Sequence, residues 1–398
     1  MTASIIISFC SLLLLAYVFD LTSSRTRIPT VILLLLLGWG VRQVTDLFSF
    51  EIPDLNPLLP ILGTIGLILI VLEGSLELEL GKDKLPMIRK SIFGAVLPLV
   101  ALTVLIAFAF NYFFDASLKD SITNAIPFCI ISSAIAIPSV RNLRKENREF
   151  IIYESSLSDI IGVLFFNFFA YNAVIHMEAV GYFAFEIILM IFISFIVTIG
   201  LSFLLSKIDH HIKFFPIILL IVLIYSLSKI YHLPGLIFIL IFGLFANNIQ
   251  LLKTNKWISK FNPEGLSKEV DKFTELTIEA TFMVRSSFFL LFGFLIETKE
   301  VIDIHTLPWS VSIIVSIILM RIVQLKLSKL PNMPLLFVAP RGLITILLFL
   351  SIEPSSKIPM VNNSMVIQVV ILSALLMMFG LMIHKKAPEE IEKSTAEQ

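Results

Sequence analysis

Long apolar stretches recur along the whole chain, and they constrain its fold more than any other feature. A helix needs about 20 apolar residues to cross the hydrocarbon core of a bilayer. Thirteen stretches come close to that length, and 57% of the 398 residues are hydrophobic. Only 15% are charged, against about 25% in soluble domains. The sequence therefore predicts an all-α integral membrane protein. The predicted spans are 4–20, 28–43, 57–76, 91–114, 122–140, 151–175, 180–206, 214–230, 233–250, 276–297, 307–326, 332–351 and 362–384.

The distribution of Lys and Arg tests this count and sets the orientation. The loops that follow odd-numbered spans, together with the tail, hold 22 of them, and the opposite loops hold five. Positive residues accumulate in cytoplasmic loops, so we expect the N-terminus outside and the C-terminus in the cytoplasm of a bacterial inner membrane. Arg25 and Arg27 follow the first apolar stretch, whereas positive residues precede it in a cleaved signal peptide. That stretch is therefore expected to be a true span.

Thirteen spans also suggest an internal repeat. If span 7 is a linker, the two sets of six spans enter the membrane from opposite sides, as inverted repeats do in many secondary transporters. We therefore expect a single domain over 1–398. Its first repeat is 1–175, its linker helix 180–206, its second repeat 214–384 and its short cytoplasmic tail 385–398.

Several classes of function are disfavoured. The net charge is zero, so no basic excess is available for nucleic acid. Cys10 and Cys129 lie in apolar stretches with a spacing that suits neither a disulfide framework nor a metal site. The sequence has no nucleotide-binding P-loop motif, no zinc-protease motif and no recognisable nucleophile–base set. We therefore expect neither an enzyme nor a nucleotide-binding protein, with no cofactor, and with membrane lipids as partners.

Six charged residues fall within the predicted spans, where charge is costly and usually functional. Asp159 lies near the midplane, with Arg285 and Arg341 at a similar level. Glu154 and Arg321 share a shallower level, and Glu73 lies near the inner end of span 3. These charges either serve ion transport or form buried ion pairs that hold helices together.

Serines surround the deepest acid. Ser155, Ser156 and Ser158 precede Asp159 on the same span, and their hydroxyls are suited to completing an oxygen cage for a small hard cation. Such serines are also common helix-packing residues. Span 5 carries Ser132 and Ser133, which are further candidate ion ligands. Pro138 follows them and either opens the helix or only kinks it.

Four of these stretches, in order, resemble motifs of the monovalent cation/proton antiporter superfamily, especially its sodium/proton exchanger branch. Leu72-Glu73-Gly74-Ser75-Leu76 resembles Phe-Glu-Gly-x-Leu of the third helix, and Glu154-Ser155-Ser156-Leu157-Ser158-Asp159 resembles Glu-Ser-Leu-Leu-Asn-Asp of the sixth. Arg321 is placed like the arginine of the eleventh helix. Pro340-Arg341-Gly342-Leu343 resembles the Leu-Arg-Gly-Ala element of the twelfth.

The resemblance implies the antiporter fold with crossed interrupted helices, a homodimer, and a mobile core that moves against a fixed dimerisation domain. It implies that Asp159 binds the transported cation or the proton, with Ser155 and Ser158 as further ligands. It also implies that Glu73 stands at the cytoplasmic approach and that Glu154 pairs with an arginine, for which Arg321 and Arg341 are the candidates. We therefore expect an electroneutral sodium/proton antiporter that works by alternating access and contributes to pH homeostasis.

Two departures from the family pattern bear on the ion. Ser158 stands where the family has asparagine, and the Thr-Asp-Pro of the crossing helix is missing. Ser132-Ser133-Ala134-Ile135 instead resembles Ser-Ser-Thr-Ala of the potassium-efflux branch. A potassium/proton antiporter or a potassium-efflux relative therefore stays open as the alternative. A sensor built on the same scaffold would need a signalling domain for which the sequence has no room.

Overall fold

The computed structural model describes residues 2–26, 28–49, 53–172, 177–207, 213–252 and 263–383. Arg27 and the predicted tail 385–398 lie outside them. Within these ranges the secondary structure is helical and no strand occurs. The helices are α1 Thr2–Thr26, α2 Thr30–Leu47, α3 Leu58–Leu76, α4 Leu85–Phe114, α5 Leu118–Ala125, α6 Ser133–Ser139, α7 Lys145–Tyr171, α8 Met177–Lys207, α9 Phe214–Ile230, α10 Leu236–Asn247, α11 Pro263–Leu295, α12 Thr298–Val301, α13 Leu307–Leu327, α14 Leu343–Ser351 and α15 Asn363–Ile383. Short 3₁₀ turns cover Ile126–Phe128, Ile249–Leu252, Leu335–Phe337 and Pro354–Ser356.

The thirteen predicted spans correspond to these helices. Nine segments of the described ranges are long and apolar enough to cross a membrane, counting 118–139 as one. The other four predicted spans are α7, which carries two buried acids, and the shorter helices α9, α10 and α14. The protein is thus an all-helical, multi-pass membrane protein.

Two predicted spans are interrupted rather than continuous. Span 5 consists of α5 with its 3₁₀ turn, a non-helical segment at 129–132, and α6. Span 12, predicted as one helix over 332–351, is a 3₁₀ turn, an extended segment at 338–342, and α14. Each interrupted span is the fifth in its set of six, as expected for two repeats of one plan. The repeat boundaries themselves stay a prediction.

The break in span 5 does not lie where Pro138 would place it. Proline frees the carbonyl four residues before it, which belongs to Ala134. The helix is instead open at 129–132, and Pro138 lies inside α6. The crossing of the two interrupted segments, where the backbone N–H of Ser132 donates to the carbonyl of Pro340, explains the break better than the proline does.

Packing divides the helices into two groups. One contains α1, α2, α3, α8, α9, α10 and α11, and the other contains α4, α5, α6, α7, α12, α13, α14 and α15. Helix α3 also packs against α6, α7 and α14 of the second group. Small residues allow this close approach, because a Cβ atom added at Gly63 would lie 2.3 Å from Leu347 Cδ2. The candidate site lies where α3 meets the interrupted spans.

Candidate functional site

The two interrupted segments cross each other inside the second group. The backbone N–H of Ser132 donates to the carbonyl of Pro340 at 2.9 Å, which joins the two extended segments directly. Gly342 is required for this approach, because a Cβ atom there would lie 2.5 Å from Ile135 Cδ1 and 2.9 Å from Ser132 Oγ. The crossing brings together the positive N-terminal ends of α6 and α14 and the carbonyl ends of two 3₁₀ turns, Ile126–Phe128 after α5 and Leu335–Phe337.

Arg341 occupies the negative ends of the crossing. The predicted charge pair included this residue beside Glu154, and the structure places its hydrogen bonds elsewhere. The Arg341 Nε donates to the carbonyl of Phe128 at 2.6 Å, and Nη1 donates to the carbonyl of Ala339 at 3.2 Å. Its backbone N–H donates to Ser373 Oγ at 2.9 Å. The guanidinium therefore satisfies carbonyls that the two helix breaks leave without intrahelical partners.

Asp159 lies at the positive end of α6. Its Oδ2 accepts hydrogen bonds from the backbone N–H of Ser133, at 3.2 Å, and from the Ser133 hydroxyl. The carboxylate is 1% exposed and its contacts are neutral dipoles and a helix N-terminus, which favour negative charge. Its second oxygen, Oδ1, has no hydrogen-bond partner among the described residues.

More oxygens without a partner lie on the elements that form the crossing. Ser132 Oγ, beside Gly342, and Thr345 Oγ1, in the first turn of α14, are both buried without a hydrogen-bond partner in the described part of the chain. So is Ser156 Oγ, one helical turn from Asp159 on α7. Buried polar atoms are normally bonded, so a concentration of exceptions marks a place for a ligand or water.

The other two predicted serine ligands are already engaged. The Ser155 hydroxyl donates to the carbonyl of Ile151 at 2.7 Å, within its own helix. Ser158 Oγ accepts from the backbone N–H of Ile131 at 3.0 Å and so fastens the open segment of span 5 to α7. Each oxygen keeps a lone pair, but neither is unoccupied in the way that Ser132 and Ser156 are.

Glu154 and Arg321 form an ion pair in the interior. Arg321 Nη1 lies 2.5 Å from Glu154 Oε1, and the two side chains are 2% and 0% exposed. Arg321 also donates to the carbonyls of Leu335, at 3.1 Å, and Val338, at 3.3 Å. The arginine therefore links α7 to the start of the second interrupted span.

Glu73 lines a polar cavity at the end of α3, which we call the Glu73 cavity. Its volume is about 530 Å³, and Ile137, Ile152 and Arg141 also line it. Arg285, on the neighbouring α11, is buried and lies within electrostatic range of Glu73. The last lining residue on α7, Tyr153, is six residues short of Asp159, or about 9 Å at 1.5 Å per residue.

A second cavity approaches Asp159 from the opposite end of α7. This Asn167 cavity has a volume of about 140 Å³ and is lined by Val163 and Asn167 of α7, Thr64 of α3 and Leu347 of α14. Val163 is one helical turn beyond Asp159, about 6 Å along the axis. Asp159 thus lies between two cavities and is closed off from both.

Sequence reasoning proposed most of the charged residues at this site and missed several of their neighbours. Ser156 was grouped with the other serines, although only the structure distinguishes its unpartnered hydroxyl. Thr345 carries no sequence signal beyond its place three residues after Gly342. The pairing of Arg141 with Asp20, at 3.3 Å, joins residues 121 positions apart and has no local signal.

Comparison with known proteins gives the class. The family described as sodium/hydrogen exchanger, transmembrane, matches residues 10–385. The chain therefore belongs to the sodium/hydrogen exchanger family, a family of transporters. A search of curated proteins finds no match.

Solved structures give the particular fold. The sodium proton antiporter MjNhaP1 from Methanocaldococcus jannaschii at pH 8 superposes with a TM-score of 0.72 at 17% identity, covering 95% of this chain and all of that one. A second structure of the same antiporter, from electron microscopy, gives a TM-score of 0.67 at 16% identity, covering 96% of this chain and 95% of that one. The fold is thus that of an antiporter with crossed, interrupted helices.

Proposed function

We propose that this protein exchanges a monovalent cation for a proton, with Asp159 as the carboxylate that both ions use. The observation that carries the proposal is a buried carboxylate held by neutral donors alone, with one oxygen left unpartnered, between two cavities. A carboxylate that binds either a proton or a cation cannot bind both. Exchange then follows from competition, without a separate coupling device.

The cation would bind Asp159 Oδ1 together with neutral oxygens. Ser132 Oγ is unpartnered, whereas Ser133, Ser155 and Ser158 each offer a remaining lone pair. Small hard cations prefer such oxygen ligands. Glu73 supplies negative charge at the mouth of its cavity, which concentrates cations near the approach. The proposed exchange needs no cofactor.

We propose alternating access as the mechanism. The Glu73 cavity and the Asn167 cavity reach toward Asp159 from opposite ends of α7, and the carboxylate is shut off from both. Displacement of α6, α7 and α14 against α3 would open one cavity while it closes the other. Single-cysteine variants at Val163 and Ile152 test this. A membrane-impermeant thiol reagent should label the two positions in a mutually exclusive way as the ion gradient is reversed. Equal labelling of both under every condition would contradict alternating access.

Sodium is the proposed cation, and potassium is the second candidate. The family favours sodium, whereas the resemblance of Ser132-Ser133-Ala134-Ile135 to the potassium-efflux branch favours potassium. The test is solute-driven pH change in proteoliposomes, comparing sodium, lithium and potassium at equal concentration. Proton movement with sodium or lithium supports the first assignment, and movement with potassium alone supports the second. Absence of proton movement with all three ions would refute the exchange itself.

We propose a one-for-one, electroneutral exchange. Serine hydroxyls do not ionise near neutral pH and arginine keeps its charge, so Asp159 is the proton carrier at the crossing. A net charge per cycle would couple turnover to voltage at about 2.3 kcal/mol per 100 mV. An imposed potential in liposomes, set with an ion that the protein does not carry, should leave the cation/proton equilibrium point unchanged. A shift with voltage would contradict the proposal and identify Glu73 as the candidate second carrier.

We propose a homodimer in a bacterial inner membrane, with the N-terminus outside and the C-terminus in the cytoplasm. Helices α1 and α8 both expose large apolar side chains, and these faces suit either lipid or a second copy. Mass photometry in detergent tests the dimer, with a monomer mass as the contradicting result. Labelling of a cysteine introduced at Arg148, from one side of the membrane only, tests the orientation.

A further inference from the structure

Ser156 has a hydroxyl with no structural duty. The residue is 3% exposed, and its Oγ is buried without a hydrogen-bond partner in the described ranges. Ser155 beside it bonds the carbonyl of Ile151, and Ser158 bonds the backbone N–H of Ile131. A buried hydroxyl that makes no bond costs free energy without contributing to folding, so another use for it is expected.

The location of Ser156 follows from the residues that share one face of α7 and one face of α6. Ile152, Ser156 and Asp159 lie at positions i, i+4 and i+7 of α7 and therefore share one face. On α6, Ser133 and Ile137 lie four residues apart. Ile152 and Ile137 line the Glu73 cavity, and Ser133 bonds Asp159. Ser156 is thus the polar residue between the floor of that cavity and the carboxylate.

Helix α3 passes close to this hydroxyl at a glycine. A Cβ atom at Gly74 would lie 2.7 Å from Ser156 Oγ and 3.8 Å from Ile137 Cδ1. Gly74 directly follows Glu73, which lines the cavity. Glycine allows this close approach, and any larger residue would press on the hydroxyl.

We propose that Ser156 is a cation ligand at an entry position between the Glu73 cavity and Asp159. The inference rests on the proposed exchange at Asp159. The hydroxyl oxygen would replace a water of the arriving monovalent cation before the ion reaches the carboxylate. A neutral hydroxyl binds cations through its oxygen and does not titrate near neutral pH, so it acts on the cation and leaves the proton untouched.

The decisive variant is Ser156→Ala, measured in proteoliposomes as wild-type exchange is measured. We expect the apparent KM for the transported cation to rise about tenfold, as for loss of one contact to a charged group. We expect the maximal rate at saturating cation to fall by less than twofold and its pH profile to stay unchanged. Ser121→Ala is the matched control, because Ser121 is also buried and unpartnered but lies on α5 toward its outer loop. It should leave KM unchanged.

A second variant and a binding measurement keep the test independent of transport. Gly74→Ala should raise KM in the same direction as Ser156→Ala, because its methyl group would press on the Ser156 oxygen. Stabilisation of purified protein against heat by sodium should require about tenfold more sodium in Ser156→Ala than in wild type. Without sodium, the Tm of Ser156→Ala should equal or exceed that of wild type.

The results distinguish a failure of the Ser156 assignment from a failure of the proposed exchange at Asp159. If wild type exchanges ions and Ser156→Ala keeps the wild-type KM and sodium stabilisation, the entry position is wrong and the exchange at Asp159 stands. A shifted pH profile of the maximal rate at saturating cation would also overturn it, because a neutral ligand for the cation should not change the proton affinity of Asp159. If wild type shows no cation-driven proton movement and no sodium stabilisation, both proposals fail.

Discussion

Glu154 and Asp159 lie five residues apart on α7 and are equally buried, yet their surroundings are opposite. Glu154 faces the fixed charge of Arg321 at 2.5 Å. Asp159 accepts hydrogen bonds from a serine and the N-terminus of a half-helix, and among the described residues it forms no ion pair. Each acid has one buried oxygen without a partner in those residues, so the counter-charge distinguishes them. A carboxylate neutralised by a permanent cation has no need of a mobile one, whereas a carboxylate held only by dipoles can accept one. The comparison separates an acid with a fixed counter-charge from the acid that we propose to bind the transported ions.

The largest effect is expected from Asp159→Asn. The amide keeps the size of the side chain but binds neither a proton nor a cation, so exchange should be lost at every cation concentration. Stability should stay equal or rise, because a buried group without a counter-charge becomes neutral. Asp115→Asn, at an exposed left-handed C-cap that asparagine tolerates, is the control and should exchange normally. Wild-type exchange in Asp159→Asn would end the distinction between the two acids.

Loss of either partner of the ion pair should affect folding before transport. Glu154→Ala or Arg321→Ala leaves an uncompensated buried charge and should cost about 3–5 kcal/mol in free energy of unfolding. Arg321→Ala should cost more, because the carbonyls of Leu335 and Val338 also lose a donor. The double variant should recover part of the loss.

Thermal unfolding of the purified variants measures these costs, with cation KM as the second measurement. If both single variants are as stable as wild type but have an altered KM, Glu154 belongs to the transport machinery instead. The two acids would then share one role.

A smaller cost is expected when the pocket around Glu154 is crowded. A Cβ atom at Gly94 of α4 would lie 2.5 Å from Glu154 Oε1 and 2.8 Å from Gln324 Nε2. Gly94→Ala should therefore cost about 1–3 kcal/mol in stability, as overpacking does. Gly200→Ala is the matched control, because nothing lies within 4 Å of its added Cβ, and it should not destabilise. Equal stability of the two variants would show that the pair does not need its exact position.

The smallest effect is expected at the ion pair of Asp20 and Arg141, whose side chains are 17% and 51% exposed. Solvent screens such pairs, so Arg141→Ala should change the free energy of unfolding by less than about 1 kcal/mol. Thermal unfolding at low and high salt checks this, and the small difference from wild type should shrink as salt rises. A cost comparable to that of Arg321→Ala would break the contrast between buried and exposed pairs.

Prediction succeeded where the signal was local. Apolar length located the thirteen spans. The equal depth of Glu154 and Arg321 along their spans agrees with the ion pair that they form. Prediction failed where contacts between backbone segments distant in sequence decide the local structure. Pro138 was expected either to open span 5 or only to kink it, and the opening lies instead at 129–132, where the backbone N–H of Ser132 donates to the carbonyl of Pro340 across the crossing. Arg341 was expected beside Glu154 and instead binds the carbonyls of Phe128 and Ala339.

The sequence by itself determined that the chain lies in a lipid bilayer, how many spans it has and that charged residues fall within them. Each of these follows from hydropathy along short stretches of chain. The tertiary structure alone decided which buried charge is neutralised. Asp159 and Glu154 are the same kind of group in the sequence, and only the packing of α13 against one and of α6 against the other makes them different. That difference depends on atoms brought together from 26 to 167 residues apart, a separation over which sequence patterns carry no distance information.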